Sequence, residues 1–411
     1  MANRYFEMGQ VFIANGTTTV DKLGRFTTDQ TITVAGAGNF TIFMTQGMAG
    51  TVTSGTATIT GSVVTLSAGS NTIVAEGAGN CTLDVTIGTA ANWNHVNSWS
   101  ATSGGTAGAS VPTSADNAYF DANSFTAGSQ TVTIDANSTC LTMDWTGATN
   151  TPTLTWGAFT LSVYGNVTFI AAMATTAHVS AYFRFYDNST LITNGLTIAC
   201  EAIGVVVAGK TLTLGDNFTS ALHLYTTNGI ITTGNNTVVL GGEFRSDYVG
   251  DITLNLGSSD ITCAGWDTRS TTTLNAGTST IKITGTGQFS GGDLTYNNVE
   301  LNGTAHTISG SNTFAKLRFG GAAQTITHTD GTTQTFTNMT RSAGTDVKTM
   351  VGTSTGGWAY AKQGGGRIDL DYLALSYSTA TVGKFFAGAN STDTTGNTGW
   401  LFRARDKILI S

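Results

Sequence analysis

Charge is scarce in this chain. Charged residues make up 10% of the 411 positions, where about a quarter is usual. The balance is acidic, with a net charge of −7. Nucleic acid is therefore not an expected partner, because phosphate neutralisation needs a basic face. Helical patterning is missing too: no stretch sustains apolar residues at the 3.6-residue period. Apolar runs are far too short to span a bilayer. The opening Met1-Ala2-Asn3-Arg4-Tyr5-Phe6-Glu7 shows no basic segment followed by an apolar run, so no secretory signal is read there. The four cysteines, Cys81, Cys140, Cys200 and Cys263, form no Cys-x-x-Cys pair and have no histidine nearby, which argues against structural zinc. They are expected to be free thiols that fill interior space. Prolines number 2.

Thr, Gly and short aliphatic alternations fill the chain. Thr is about a fifth of it and Gly accounts for 52 residues. β-Branched residues suit pleated strands, while Gly and Asn punctuate with turns. One phrase recurs, a Thr- and aliphatic-rich strand closed by Gly or Asn-Gly. It reads Thr160-Leu161-Ser162-Val163-Tyr164-Gly165, then Thr211-Leu212-Thr213-Leu214-Gly215, then Thr237-Val238-Val239-Leu240-Gly241. It returns at Ile252 to Gly257, Thr273 to Gly277, Val299 to Gly303 and Leu317 to Gly320. A mean spacing of about 22 residues predicts a solenoid, whose units bury their apolar faces only by stacking.

Five regions are expected. Residues 1–26 are more charged than the rest and read as either a docking arm or a first strand. Residues 27–88 carry about six short alternating strands with frequent turns, which suits a small β-sandwich of immunoglobulin-like size. Residues 89–128 hold Trp93 and Trp99 and read as the cap that closes one end of a repeat array. Residues 129–402 are the solenoid, roughly twelve rungs of stacked strands on the order of 60 Å long. Residues 403–411 form a tail with Arg403, Arg405 and Lys407 beside Ile408-Leu409-Ile410.

The cap, reading Asn92-Trp93-Asn94, Ser98-Trp99-Ser100, Ser103-Gly104-Gly105, Val111-Pro112-Thr113-Ser114-Ala115-Asp116-Asn117 and Phe120-Asp121, resembles the opening of β-helix proteins common in bacteriophage and marine viral sequences. The ending, Phe386 to Asp393 and Gly396-Asn397-Thr398-Gly399-Trp400, resembles the ending of the same proteins, and the Met-Ala-Asn-Arg-Tyr start is similar. The resemblance implies a right-handed parallel β-helix and a virion structural role, as a tail fibre, spike or capsid appendage. It implies assembly into the virion in the host cytoplasm, other virion proteins as partners of the N-terminal region, and a homo-oligomer of the trimeric kind. It brings no catalytic residues. In those proteins the start runs straight into the Trp-containing cap, so the sandwich at 27–88 reads as an insertion.

Two clusters are the candidate sites. Glu243-Phe244-Arg245 and Asp267-Thr268-Arg269 lie 24 residues apart, near one rung, which would set two acids and two arginines side by side. Trp266 and Tyr248 would be close by. Paired carboxylates suit glycoside hydrolysis, and aromatic faces beside charges suit a sugar-binding groove. The plain alternative is a charge ladder that keeps a flat face soluble. The second cluster is Tyr182-Phe183-Arg184-Phe185-Tyr186. Alternation puts Tyr182, Arg184 and Tyr186 outward, as contacts to a subunit or glycan, and both phenylalanines inward. None of the five histidines stands in a metal-binding pair. Gly364-Gly365-Gly366 precedes no helix and reads as a turn, not a phosphate loop. No cofactor or metal is expected. The leading functional expectation is a non-enzymatic virion appendage that adheres to host-surface polysaccharide. A capsid decoration protein and a tailspike-type polysaccharide depolymerase are the alternatives.

Overall fold

The computed structural model describes residues 2–6 and 90–403, apart from 96–97, 106–107 and 247–249, together with the backbone of the strands between 25 and 84. The chain is an all-β parallel solenoid of about 12 turns. It divides into two compact units, Met1–Ala181 and Tyr182–Ser411.

Alternation builds the coils. In Thr131–Ile134, Thr160–Val163 and Thr211–Leu214 the Thr and Ser side chains are half-buried while Val, Leu and Ile are buried. A strand side chain points to the opposite face from its neighbours in sequence. Each coil therefore lines the interior with aliphatics and the outside with hydroxyls. Stacking in register turns those interior positions into columns. In the second unit one column runs Phe218, Val238, Ile261, Ile281, Val299, Leu317 and Met339. Every member is at most 2% exposed. Burying each such side chain is worth about 1.5–3 kcal/mol, and a coil alone has nothing to bury it against.

The second unit carries three stacks of parallel strands. The first is Ser189–Ile192, Thr211–Leu214, Gly229–Thr232, Ile252–Asn255 and Thr273–Asn275. The second contains Cys200–Val205, His223–Tyr225, Glu243–Ser246 and Gly265–Thr268, and continues to Thr392–Thr395. The third is a ten-stranded sheet from Thr197–Ile198 to Ser378–Thr381. A short three-stranded sheet, Arg367–Asp369, Lys384–Phe386 and Trp400–Leu401, completes the unit.

Corners are held by Asn and Gly. The Asn188 and Asn217 side-chain oxygens accept the backbone N–H of Thr211 at 3.0 Å and of Thr237 at 2.9 Å, each starting a strand one coil further on. Gly277 adopts a φ of 57°, and a Cβ there would lie 2.2 Å from the Gly257 carbonyl oxygen. No other residue fits that approach.

The recurring phrase is not one strand of a fixed kind. Thr211–Leu214 and Ile252–Asn255 belong to the first stack, whereas Thr237–Leu240 and Thr295–Leu301 belong to the ten-stranded sheet. The same Thr-aliphatic sequence serves different faces because each presents apolar residues inward and hydroxyls outward. Coil length varies as well. In the ten-stranded sheet the step is 18 from Thr280 to Asn298 and 26 from Thr333 to Ala359.

In the first unit, Ala2–Phe6 is a strand. It lies between Trp99–Ser100, antiparallel, and Asp116–Tyr119, parallel. Phe6 is fully buried against Trp99, Phe120 and Phe125, at 5.3, 5.2 and 6.0 Å between ring centroids. Its neighbour Arg4 fixes the strand outside, through Ser110 Oγ at 3.0 Å. Trp99 Nε1 donates to the Trp93 carbonyl at 2.7 Å, and Trp145 stacks on Phe120 at 3.6 Å. Parallel stacking starts before residue 129: Ala90–Asn92 pairs with Thr131–Ile134, and Asp116–Tyr119 pairs with Met143–Asp144. Between 25 and 84 the strands are antiparallel, in a five-stranded and a three-stranded sheet.

Cys140, Cys200 and Cys263 are free and buried. Cys263 sits opposite Ile283 of the next coil, and burial pushes its thiol up to about 12. It packs as a small apolar residue.

Candidate functional site

The sheet that carries Glu243 has an outward row of unusual chemistry. The strand His178–Phe185 is followed in that sheet by Cys200–Val205, His223–Tyr225, Glu243–Ser246 and Gly265–Thr268. Phe183 and Phe185 point inward, both fully buried, 4.8 Å apart between centroids. Tyr182, Arg184 and Tyr186 are half-buried on the outer side. The Arg184 guanidinium lies over the Tyr182 ring at 4.7 Å. Just beyond, Asp187 accepts from Lys210 Nζ at 2.7 Å, and that hydrogen bond holds its carboxyl below the ordinary range.

The second cluster assembles differently from the sequence expectation. Register sets Glu243 opposite Gly265 and Arg245 opposite Asp267. The step is 22 residues, two fewer than the spacing of the matched triplets, so Arg245 and Arg269 are not neighbours. Arg269 sits past the strand end, exposed, where its carbonyl accepts from Thr272 N–H at 3.0 Å. Trp266 is fully buried and stacks on Phe244 at 4.3 Å. Its ring is interior because its strand parity matches Phe244, so it offers no surface to a sugar. Its Nε1 donates to Tyr296 Oη at 3.2 Å, and Tyr296 donates to the Gly291 carbonyl at 2.9 Å. Burial pushes the Tyr296 phenol up, and the charge of Asp267 adds to that. Trp266 thus anchors the floor beneath the row. Tyr248 lies outside the described residues.

What remains outward is Glu243, Arg245 and Asp267, joined by two residues that the sequence reading did not single out. Tyr225 is opposite Arg245, with the guanidinium 5.4 Å from its ring centroid. The His223 Nδ1 accepts the Glu243 backbone N–H at 2.8 Å, which requires the proton on Nε2. Arg245 Nε lies 3.8 Å from Glu243 Oε2. A 20-residue step, from Tyr225 to Arg245, was the signal for this pairing; the 24-residue match of acid and arginine hid it. Ala202 stands opposite His223, a small residue that leaves room for the larger groups beside it. The two clusters share one face, separated by two strands, so Arg184 and Arg245 are roughly 14 Å apart at the usual strand spacing.

The row can do recognition chemistry. It presents Tyr rings, guanidinium donors and carboxylate acceptors in a fixed order set by the ladder. Glu243 and Asp267 are offset diagonally on adjacent strands, with Arg245 directly beside Asp267. Among the described residues no group of three or more His, Cys, Asp or Glu is placed to hold a metal ion. The fold defines the class, a parallel β-solenoid. No protein-family model, curated protein or solved structure matches the chain.

Proposed function

We propose that the chain is a structural, adhesive component of a bacteriophage virion, a tail-fibre or spike-type appendage that binds host-surface polysaccharide. The observation that carries the adhesive part is the outward row Tyr182, Arg184, Tyr225, Arg245, Glu243 and Asp267 on one sheet face. Aromatic faces complement the apolar face of a sugar ring, and Arg and carboxylate groups complement its hydroxyls. Repeated coils repeat weak contacts, which suits multivalent attachment. The virion part rests on the resemblance of the cap and the ending to phage β-helix proteins. It carries with it a right-handed coil, trimeric assembly and an immunoglobulin-like sandwich at 27–88. The antiparallel pairing of strands in that segment supports the sandwich.

Electron microscopy of intact particles with a gold-labelled antibody to the chain tests the location. Label on tails is the expected result; label on the shell would make it a capsid decoration protein, and no label would sink the virion reading. For adhesion, capsule or lipopolysaccharide binding should fall in Arg184→Ala and Arg245→Ala.

The adjacency of Glu243 and Asp267 keeps a second reading, a depolymerase with these carboxylates as acid and nucleophile. Incubation with polysaccharide should release no new reducing ends. If ends appear and vanish in Glu243→Gln, the depolymerase reading replaces the first.

A further inference from the structure

One concavity of the second unit collects cations that oppose one another. It is an open surface hollow of about 610 Å³ lined by Gly365, Gly366, Arg367, Gly383 and Lys384. Arg367 and Lys384 are direct partners across adjacent parallel strands. Like charges in that relation repel. Three other cations of this unit meet acids: Lys210 with Asp187 at 2.7 Å, Lys282 with Asp260 at 2.6 Å and Arg318 with Glu300 at 3.2 Å. Arg367 has one such acid, Asp369, at 2.9 Å from its Nε, and its guanidinium rests over the Phe386 ring at 5.6 Å. Lys384 is exposed, and its ammonium has no partner among the described residues. On the far side of Lys384 the ladder continues with Gly399, since Phe385 pairs with Trp400. No side chain there competes for the charge.

The backbone around the hollow keeps it open. Gly364, Gly365 and Gly366 take φ of 73°, 66° and 85° in succession, and a Cβ at either of the first two would meet nothing within 4 Å. Val382 holds a φ of 50° and is 63% exposed. A β-branched residue rarely tolerates that conformation. The turn is pinned by Lys384 N–H to the Gly366 carbonyl at 2.8 Å and Lys362 N–H to the Val382 carbonyl at 3.1 Å. Lys362 spends its ammonium on the Thr337 carbonyl at 2.8 Å.

We infer that this hollow binds an oxyanion, a carboxylate or sulfate group carried by an acidic polysaccharide, between Arg367 and Lys384. An anion there would relieve the repulsion that the ladder imposes, and Arg367 can present a fork of donors to it. The ligand class rests on the adhesive reading above; the anion site does not.

The test uses the full chain with polygalacturonate, dextran sulfate, neutral dextran and sodium sulfate, followed by calorimetry and by thermal melting. The acidic polymers should bind, more weakly as salt rises, and neutral dextran should not. Lys384→Glu should weaken binding at least tenfold, Lys384→Gln less, while Lys282→Glu leaves it unchanged. Lys384→Glu should also raise Tm, because it pairs with Arg367; a lysine needed only for the fold would lower it. Preference for polygalacturonate or for dextran sulfate decides between carboxylate and sulfate. Sulfate binding that Lys384→Glu abolishes, with no polymer bound, keeps the anion site and overturns the glycan reading. Polymer binding untouched by either Lys384 variant overturns the site and leaves adhesion standing. No binding of any anion overturns the inference outright.

Discussion

The interior of this solenoid is built in two ways. In the first unit Phe6, Trp93, Trp99, Phe120, Phe125 and Trp145 are all at most 1% exposed and fill the space with rings. In the second unit the coils between 303 and 360 turn His306, Gln324, His328 and Lys348 inward, each at most 3% exposed. The reason lies at the corners. Where glycine turns crowd a corner, interior side chains add donors to the carbonyls there. Gln324 Nε2 donates to the Leu301 and Gly303 carbonyls at 2.8 and 2.6 Å. Lys348 Nζ donates to the Gly321 carbonyl at 2.6 Å and also to that of Ala322. His328 stacks on Trp358 at 3.8 Å and shares a 3.0 Å hydrogen bond with Tyr360 Oη. An interior can be closed by bulk or by polar side chains that reach the backbone at its corners.

Acid should separate the two regions most sharply. Burial lowers the His328 pKa from 6.5 to about 3. Between those values the unfolded chain holds a proton that the folded chain refuses, so stability falls as pH drops through that window. At pH 7 the imidazole is neutral in both states and contributes nothing to the slope. The loss from this group is on the order of 4–5 kcal/mol across the window. The double variant His328→Phe with Tyr360→Phe should unfold in urea much as the parent does at pH 7 and outlast it at pH 4. Equal acid sensitivity in parent and variant would remove His328 from the account.

Trp99→Ala tests closure by bulk. It removes an indole that touches Phe6, Trp93 and Phe120 at 5.3, 5.0 and 5.8 Å. The expected cost is about 3–5 kcal/mol in urea unfolding, with no added slope between pH 4 and 7. Lys348→Met sharpens the polar side of the contrast. It leaves the Ala322 carbonyl without its donor, while the Gly321 carbonyl keeps the Ser342 hydroxyl at 2.9 Å, at a cost of about 1–3 kcal/mol. Burial lowers the Lys348 pKa, and the Arg341 charge adds to that. Its penalty is therefore relieved as pH rises from the folded pKa toward the unfolded one, so the parent should gain stability in alkali where Lys348→Met does not. The smallest effect belongs outside. Arg318 and Glu300 pair at 3.2 Å with side chains 33% and 21% exposed. Arg318→Ala should cost at most about 1 kcal/mol, and less in high salt.

Much of the fold could be read from residues alone. The Thr-aliphatic alternation at Thr160–Val163 and Thr211–Leu214 gave both strand type and inward face, and the mean spacing gave the coil. Phe183 and Phe185 were placed inward by parity. Register was less legible, because corners absorb residues freely: steps of 20 and 22 flank Glu243–Ser246, and only the ladder reveals which applies. That uncertainty misaligned Arg269 and drew Trp266 outward, while Tyr225 and His223 passed unnoticed. The strand role of Ala2–Phe6 was one of two readings, since its partners stand far along the chain.

That distance has a consequence for how the protein comes to be folded. Asn3 meets Asn117, 114 positions later, whereas later coils close over loops of about 22. Closing the longer loop costs about 1.5 kcal/mol more in chain entropy. Ala2–Phe6 is made before its partners and seated late, and its amides should gain exchange protection after those of Thr211–Leu214. Because closure cost grows only with the logarithm of length, the stretch between Phe6 and Ala90 can be traded for another during evolution while the coils behind it keep their alignment.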